Sequence, residues 1–463
     1  HILESVQPFI IIGKRLSQES HRVRIAAHKS CEVEVRNQGL DFFAISHDSI
    51  YPMTDATTAV GPHGGGQKLN QTRKALYNSY CGSWRACIAS FRRDTRPFLA
   101  DAIVASPLAH AHIHCAERLS IPLHIMSTVP WTPTGEFSHS LAHVEGSDGI
   151  DEKTASFLSY ALIEESIWNT IIEPINRFRQ QILGLQRISA AVGGRLMADY
   201  EVPHTYLCSQ VLVPRPNDWS SMIDIVGYLF KTQPPVCRPD KELEDFMQSD
   251  SPLIYIMLQE DKMQSQGMLA RAIQETVVKH GFRVLLSEGC RDICRILSHP
   301  NVVLTDSVPD EWIIPRVSVV VHHGSAEHTA LALRFGKPSV VIRHSEDQFS
   351  RGILIARTGA AAAPLHNSML SAEAFAGALS FCLQKPVEIA TSDIQNQISQ
   401  ENGLDGAIKA FYRWLPPNVQ KCSITNEDLA MYLIWNRPTM KISPEAAAVL
   451  VEERMIKQTD IVL

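Results

Sequence analysis

The sequence predicts an α/β fold with two doubly wound parallel-sheet domains that face each other across a cleft. Short apolar runs alternate with helix-like stretches along most of the 463 residues, a pattern typical of β-α units in a parallel sheet. The alternation is interrupted once, by the proline-rich stretch "LFKTQPPVCRPDKE" at residues 229–242. Because neighbouring prolines favour an extended linker, we expect a domain boundary there.

Before this boundary, three apolar runs are expected to be strands: "HRVRIAAH", "ADAIVASP" and "IPLHIMSTVP". A helix at about residues 8–19 should precede the first strand, and residues 160–182 predict one or two long amphipathic helices that bury Trp168 and Phe178. The glycine-rich residues 57–67 predict a loop. After the boundary, strands are expected at "SPLIYIML", "FRVLLSEG", "NVVLTDSVP", "VSVVVHHG" and "KPSVVIRHS".

Composition and charge argue against several classes of protein. The net charge of −6 gives no sign of the clustered basic surface that nucleic-acid binding requires. The ten cysteines are scattered without a CxxC pair, so we expect reduced thiols, a cytoplasmic setting and no metal site. No apolar run reaches the ~18 residues of a membrane span, and no secretory signal is recognisable. The oligomeric state is not indicated.

The stretch "VVVHHGSAEHTALALRFGKP" at residues 319–338 predicts a strand, a loop and a helix start. Free backbone amides and the helix dipole make such a turn a site for phosphate. Glu327 nevertheless stands where a phosphate-binding turn favours glycine. A carboxylate in the first turn is itself an anion that the helix start stabilises.

Five stretches together resemble the fungal sterol 3-beta-glucosyltransferases: "VQPFIIIGKRLSQESHRVRIAAH", "AHIHCAERLSIPLHIM", "PWTPT", "NVVLTDSVPDEWIIPRVSVVVHHG" and "LRFGKPSVVI". The resemblance extends from about residue 6 to residue 415 and implies a GT-B-like fold that uses a UDP-sugar. It implies an amino-terminal acceptor-side domain at residues 1–232 and a carboxy-terminal, ancestral nucleotide-sugar domain at 233–425. A tail at 426–463 is expected to cross back to the first domain.

The resemblance implies a donor site at seven positions: Glu260, Trp312, His322, Ser325, Glu327, Asp347 and Gln348. His322 corresponds to the family's diphosphate histidine, the Asp-Gln pair to its sugar ligands, and Trp312 lies near its uracil-binding segment. Three motifs differ from the family, because F-G-S becomes "LQE", H-H-G-G-A-G-T-T becomes "HHGSAEHT" and G-D-Q becomes "EDQ". Arg316 also replaces a glutamine.

The family's amino-terminal motif G-S-R-G-D-V-Q-P is replaced by "HILESVQP". The family's aspartate in this glycine-rich turn helps to deprotonate the acceptor hydroxyl, and Ser5 stands at its position. Serine has no pKa near neutrality and cannot replace it as a general base. Glu4 could do so only after a shift of one residue.

Three acids, Glu260, Glu327 and Glu346, therefore surround the expected place of the donor phosphates. Two unit charges ~4 Å apart interact by roughly 4 kcal/mol at an effective dielectric near 20. Several repulsions of this size would cancel a micromolar affinity of about 8 kcal/mol. We therefore expect no cofactor. The alternative is that these side chains point outward and UDP-glucose still binds.

Candidate acceptor-cleft residues are His63, His110 and Trp131, and the catalytic residues themselves are not identified. His110, His112 and His114 resemble a metal cluster, but packing or lining of the acceptor cleft is the more common role of such histidines on one helix. Plain core packing remains open for Trp131, and solvent exposure for His63.

The sequence thus predicts a protein that binds a hydrophobic terpenoid or sterol-like molecule without a sugar donor. Holding a flexible polyene so that reacting carbons meet favours a cofactor-independent cyclisation, such as an intramolecular Diels–Alder reaction in fungal secondary metabolism. Two alternatives stay open. One is an active UDP-glucose-dependent glucosyltransferase of a sterol or terpenoid alcohol, and the other is a non-catalytic carrier of the same ligand.

Overall fold

The computed structural model describes residues 2–45, 66–88, 98–142, 150–230, 239, 241–248, 251–258, 266–297, 299–305, 308–366, 370–415, 422–425, 432–434 and 437–462. His63 and Glu260 lie outside these residues, as does most of the glycine-rich stretch that was predicted as a loop.

The described strands of the first half are all parallel. They are β1 (Arg24–Ala27), β2 (Asp41–Ala44), β3 (Ile103–Ala105), β4 (Leu123–Ser127), β5 (His204–Tyr206) and β6 (Ile223–Ile225). β1 pairs with β2, and the other four form a sheet in the order β3-β4-β5-β6. The three expected strands are therefore present as β1, β3 and β4.

Helices cover both faces of these strands. They are α1 (Ile2–Gln18), α2 (Glu32–Asn37), α3 (Gly66–Ile88), α4 (His112–Leu119), α5 (Glu152–Phe178), α6 (Ala190–Gly193) and α7 (Leu196–Asp199). A π-helical turn at Arg179–Leu183 extends α5. The prediction of a long helix that buries Trp168 and Phe178 is confirmed, since they are 7% and 0% exposed.

Two details of the first half differ from the expectation. The glycine-rich turn implied for the family is replaced at its described positions by α1, which begins at Ile2 and contains Pro8. Ser5 is therefore helical and exposed, because the stretch "HILESVQP" holds no glycine that would open a turn. His110 lies before α4 rather than within it, in a left-handed backbone conformation with φ of 49°.

The second half is built on one six-stranded parallel sheet. Its strands are β7 (Leu253–Met257), β8 (Arg283–Ser287), β9 (Val302–Thr305), β10 (Val319–His322), β11 (Ser339–Arg343) and β12 (Leu365–His366). Their order is β12-β11-β10-β7-β8-β9. β7 and β10 are buried along their whole length, as expected for central strands covered on both faces.

The helices of this half are α8 (Lys241–Met247), α9 (Gln266–His280), α10 (Arg291–Ile296), α11 (Asp310–Ile313), α12 (Ala326–Arg334), α13 (Glu346–Arg357), α14 (Ala372–Cys382), α15 (Lys385–Ser399) and α16 (Gly403–Arg413). Short 3-10 turns lie at Lys29–Cys31, Pro107–Ala109, Glu288–Cys290, Ile314–Arg316 and Gln458–Asp460. The two-domain α/β architecture agrees with the fold class expected from the sequence.

The chain returns to the first half after the second sheet. On α16, Ile408 and Phe411 are buried in one apolar cluster with Ile12 and Leu16 of α1. Beyond it, β13 (Tyr432–Ile434), β14 (Arg437–Ile442) and β15 (Ile461–Val462) form an antiparallel sheet next to α17 (Pro444–Glu452). β14 lies against α4 of the first half.

Buried contacts also join the halves directly. A single apolar cluster contains Tyr206 and Trp219 from the first half and Val341 and Ile355 from the second. The C-terminal ends of parallel strands are where ligands bind in α/β sheets, and this cluster lies beside them. None of the described helices is long and apolar enough to cross a bilayer.

Candidate functional site

The loop between β10 and α12 is a tight turn that requires glycine and leads directly into a helix start. Gly324 adopts a φ of +84°, and a Cβ atom there would lie 3.0 Å from the Gln348 carbonyl oxygen. Only glycine accepts this conformation and this contact without strain. Ser325 caps α12, because its hydroxyl accepts the His328 N–H at 3.2 Å. The setting predicted from the sequence is thus present.

His322 is a neutral donor at this loop. It is fully buried, and burial, the largest of several causes, holds its pKa well below the usual value. Its Nδ1 accepts the Gly324 N–H at 3.0 Å, so the ring proton lies on Nε2. Among the described residues no hydrogen-bond partner lies within reach of that Nε2.

Glu327 lies in the first turn of α12, half-buried. The helix dipole stabilises a carboxylate there by about 0.3–1 kcal/mol. The next residue, His328, has its Nε2 3.9 Å from an Asp310 carboxylate oxygen. The helix start that was expected to hold a diphosphate therefore carries a carboxylate of the chain itself.

Arg351 brings a positive charge to the same loop. Its guanidinium donates a hydrogen bond to the carbonyl of Gly324. It stands on α13, one turn after the Asp-Gln pair. Sequence reasoning did not anticipate this contact.

The Asp-Gln pair makes hydrogen bonds within its own segment. Gln348 is only 3% exposed, and its side-chain oxygen accepts the His344 N–H at 2.9 Å. Asp347 accepts the Ser345 hydroxyl at 2.6 Å. Both side chains that would hold a sugar thus already have partners at the start of α13.

Trp312 carries a cation on its ring. The guanidinium carbon of Arg316 lies 4.0 Å from the indole centroid, and Arg316 also donates to the Trp312 carbonyl at 2.6 Å. A cation over an indole face is worth about 0.5–1 kcal/mol at an exposed site. The residue that replaces the family's glutamine therefore covers an aromatic face near the expected place of the base.

On the acceptor side, His110 is buried and interacts locally. Its ring Nδ1 lies 3.2 Å from the Pro107 carbonyl, and desolvation is the main cause that lowers its pKa to about 4. His112 and His114 are buried as well. Among the described residues no group of three or more His, Cys, Asp or Glu is placed to hold a metal ion. All three side chains are buried, and the role of His110 at the acceptor cleft stays a prediction.

Trp131 follows β4 in a loop and is half-buried. Its indole N–H donates to the Glu164 carboxylate at 2.8 Å, and the Trp168 indole donates to the other oxygen of Glu164 at 3.1 Å. Sequence reasoning missed Glu164. The spacing of Glu164 and Trp168 on one helix was a local signal, but Trp131 is far from both in the sequence.

Comparison with known proteins identifies relatives along both halves. Residues 5–138 match the glycosyltransferase family 28 N-terminal domain, and residues 276–402 match the erythromycin biosynthesis protein CIII-like C-terminal domain. Sterol 3-beta-glucosyltransferase UGT80B1 of Arabidopsis thaliana is 32% identical over 426 residues, which cover 89% of this chain and 67% of that protein.

Two further relatives carry the same description. UGT80A2 of Arabidopsis thaliana is 31% identical, and the match covers 90% of this chain and 65% of the relative. The enzyme of Yarrowia lipolytica is 28% identical over 88% of this chain but only 28% of its own length. The chain therefore spans about two thirds of the plant proteins and less than a third of the yeast protein.

Solved structures share the fold. The glycotransferase of kitacinnamycin superposes with a TM-score of 0.61 at 14% identity and covers 89% of this chain and 97% of its own. The spinosyn rhamnosyltransferase SpnG complexed with spinosyn aglycone superposes with a TM-score of 0.57 at 14% identity. The match covers 89% of this chain and 96% of SpnG. At this identity the likeness concerns the GT-B architecture alone.

Proposed function

Because the chain belongs to the family of the sterol 3-beta-glucosyltransferases, we propose that it binds a hydrophobic sterol- or terpenoid-like molecule but no longer uses a UDP-sugar. The observation that carries this proposal is that donor-side groups already have partners within the chain. Gln348 binds the His344 amide, Arg316 covers Trp312, and Arg351 binds the Gly324 carbonyl.

The contacts of Trp312 and Gln348, and the charge of Glu327, each oppose a different part of a nucleotide-sugar. A base that stacks on the covered face of Trp312 must first displace a guanidinium. A sugar hydroxyl that donates to the Gln348 oxygen must share that oxygen with the His344 N–H, so only part of the hydrogen-bonding capacity of Gln348 is left for a sugar. A diphosphate must approach a helix start that already carries the Glu327 carboxylate. These separate costs all weaken the same ligand.

The reaction that we propose on the bound molecule is a cofactor-independent cyclisation of the intramolecular Diels–Alder type. Such a reaction needs a shaped cavity and a few hydrogen-bond donors. Proximity and orientation can contribute up to about 7–11 kcal/mol to the rate of a well-aligned reaction. A protein that only carries the ligand would share the cleft without this acceleration.

A second candidate is an active UDP-glucose-dependent glucosyltransferase of a sterol or terpenoid alcohol. Two observations favour it: the Nε2–H of His322 has no partner among the described residues, and Gly324 keeps the conformation that a phosphate-binding loop requires. In this case Asp347 and Gln348 would hold the sugar with the hydrogen-bonding capacity that Ser345 and His344 leave to them.

Product analysis separates the candidates. The protein is incubated with radiolabelled UDP-glucose and a panel of sterols, and separately with polyene terpenoid precursors. We expect no labelled glucoside and a cyclised product that forms faster than in buffer. Formation of a sterol glucoside would overturn the proposal in favour of the glucosyltransferase. If neither a glucoside nor a cyclised product forms, the carrier function is favoured instead.

A further inference from the structure

Glu164 occupies an unusual position for a carboxylate. It lies on α5, a helix of the first half, one turn before Trp168 on the same helix. Its side chain reaches the loop that follows β4, where Trp131 is placed. Since β4 is parallel to its neighbours, this loop lies at the edge of the sheet where α/β proteins bind ligands.

Two indole groups orient the Glu164 carboxylate. Oε1 accepts the Trp131 N–H at 2.8 Å, and Oε2 accepts the Trp168 N–H at 3.1 Å. A carboxylate offers about four lone-pair positions. Two indole donors therefore leave about half of its accepting capacity for another group. The side chain is half-buried rather than sealed, so such a group can approach.

The surroundings of this carboxylate are aromatic. The His139 ring lies edge-on 4.4 Å from Trp131, and the Tyr160 ring lies 5.1 Å from His139. The backbone N–H of Trp131 donates to the Tyr206 hydroxyl at 3.0 Å, which fixes the loop. His139 and Tyr160 are themselves buried and support Trp131 from behind, so the partly exposed Trp131 is the aromatic side chain that an apolar ligand could contact beside the Glu164 carboxylate.

The same loop touches the second half. The Ser350 hydroxyl of α13 donates to the Ser140 carbonyl at 3.2 Å. Trp131 packs against the apolar cluster shared by both halves. Glu164 is therefore linked through Trp131 to the junction of the two halves, close to the segment that carries Asp347.

We propose that Glu164 is the hydrogen-bond acceptor that recognises a hydroxyl group of the hydrophobic ligand, and that it also fixes the indole of Trp131 as a wall of the cleft. This inference rests on the proposed function, because it requires a sterol- or terpenoid-like ligand. A hydroxyl removed from water needs a partner, and a carboxylate acceptor makes stronger hydrogen bonds than a neutral one. Burial is the main cause that raises the pKa of Glu164, and the two indole donors oppose it.

Paired ligands test the recognition. Affinities are measured for cholesterol and for its 3-deoxy counterpart cholestene, using the wild-type protein, Glu164→Gln and the control Glu165→Gln. Glu165 is the exposed neighbour on the same helix. We expect wild type and the control to prefer cholesterol by about tenfold, the size of one hydrogen bond to a charged group. Glu164→Gln should reduce this preference below about threefold.

Three outcomes contradict this expectation in distinguishable ways. A Glu164→Gln variant that keeps the full preference overturns the role of Glu164. If the wild-type protein binds both sterols equally, the role of Glu164 is also overturned, but the proposed function is not affected. A wild type that binds neither sterol nor any terpenoid alcohol overturns the proposed function and this inference together.

A ligand-free measurement tests the positioning role. The indole N–H resonances of the seven tryptophans are recorded for the three proteins after selective 15N labelling. Glutamine offers one oxygen where glutamate offers two, so two indole resonances should move in Glu164→Gln and stay in place in Glu165→Gln. Trp131→Phe identifies one of them. Unmoved indole resonances in Glu164→Gln would overturn the geometry.

Discussion

Gly324 sets the path of the chain between β10 and α12. Its φ of +84° and the 3.0 Å contact that a Cβ would make with the Gln348 carbonyl leave no room for another residue. The loop therefore owes its shape to backbone chemistry that does not depend on a bound phosphate. This explains how the turn persists although Glu327 and Arg351 have changed its charges.

Replacing Gly324 with alanine should lower the midpoint temperature of thermal unfolding. A left-handed backbone costs about 1–2 kcal/mol for a residue with a side chain, and the contact with the Gln348 carbonyl adds to this. The control is Gly267→Ala, since a Cβ at Gly267 in α9 meets nothing within 4 Å. That change should be neutral or stabilising. Equal midpoints for the two variants would contradict the assigned conformation of Gly324.

At the scale of elements, α4, β4 and β5 share a set of buried histidines. Burial lowers the pKa of His124 to about 3 and that of His204 to about 4, in both cases as the largest cause. The His110 pKa is about 4 for the same reason. A histidine with a lowered folded pKa stabilises the protein fully above its unfolded pKa of about 6.5. This stability is lost as the pH falls from there towards the folded pKa.

We therefore expect the free energy of unfolding to fall steeply below pH 6.5. Each such histidine should lower the free energy of unfolding by about 2 kcal/mol at pH 5 relative to pH 7. His124→Gln should make the dependence shallower by about 1.4 kcal/mol per pH unit, because one proton fewer is taken up on unfolding. His280→Gln, at an exposed position of α9, serves as the control. An unchanged slope in His124→Gln would exclude a buried neutral His124.

α16 is the element that ties the end of the second half to the first. Ile408 is 5% exposed, and it belongs to the cluster that includes Ile12 and Leu16 of α1. Close to the start of α16, Glu401 accepts the Ser209 hydroxyl at 2.7 Å. The packing of this helix therefore couples the stability of the two halves.

Ile408→Ala should lower the free energy of unfolding by about 2–4 kcal/mol, the usual cost of truncating a buried aliphatic side chain. The neighbouring Lys409 is exposed, so Lys409→Ala should stay within about 0.5 kcal/mol. Differential scanning calorimetry provides the comparison. If Ile408→Ala unfolds thermally at the same temperature as the wild-type protein, α16 does not hold the halves together.

At the scale of the whole molecule, strand and helix alternation was sufficient to predict the two α/β domains, because most of the central parallel strands are apolar runs. The short strands β2, β5, β6 and β12 were not predicted, since they contain polar residues or only two or three residues. Side-chain partners were harder to predict. Glu327 was read correctly as part of the first turn of α12, but the Arg316 contact with Trp312 depends on how the 3-10 turn after α11 places the two side chains. The Trp131–Glu164 hydrogen bond joins residues that only the tertiary fold brings together. The domain boundaries at residues 232 and 425 remain predictions.

We propose as the central property of this molecule that the site around the loop between β10 and α12 does not bind a UDP-sugar. Isothermal titration calorimetry with UDP and with UDP-glucose tests it most directly, on protein whose folding is verified by its thermal transition. We predict no saturable binding of either nucleotide up to about 1 mM, which corresponds to a binding free energy weaker than about 4 kcal/mol. Saturable binding at micromolar concentration would contradict it.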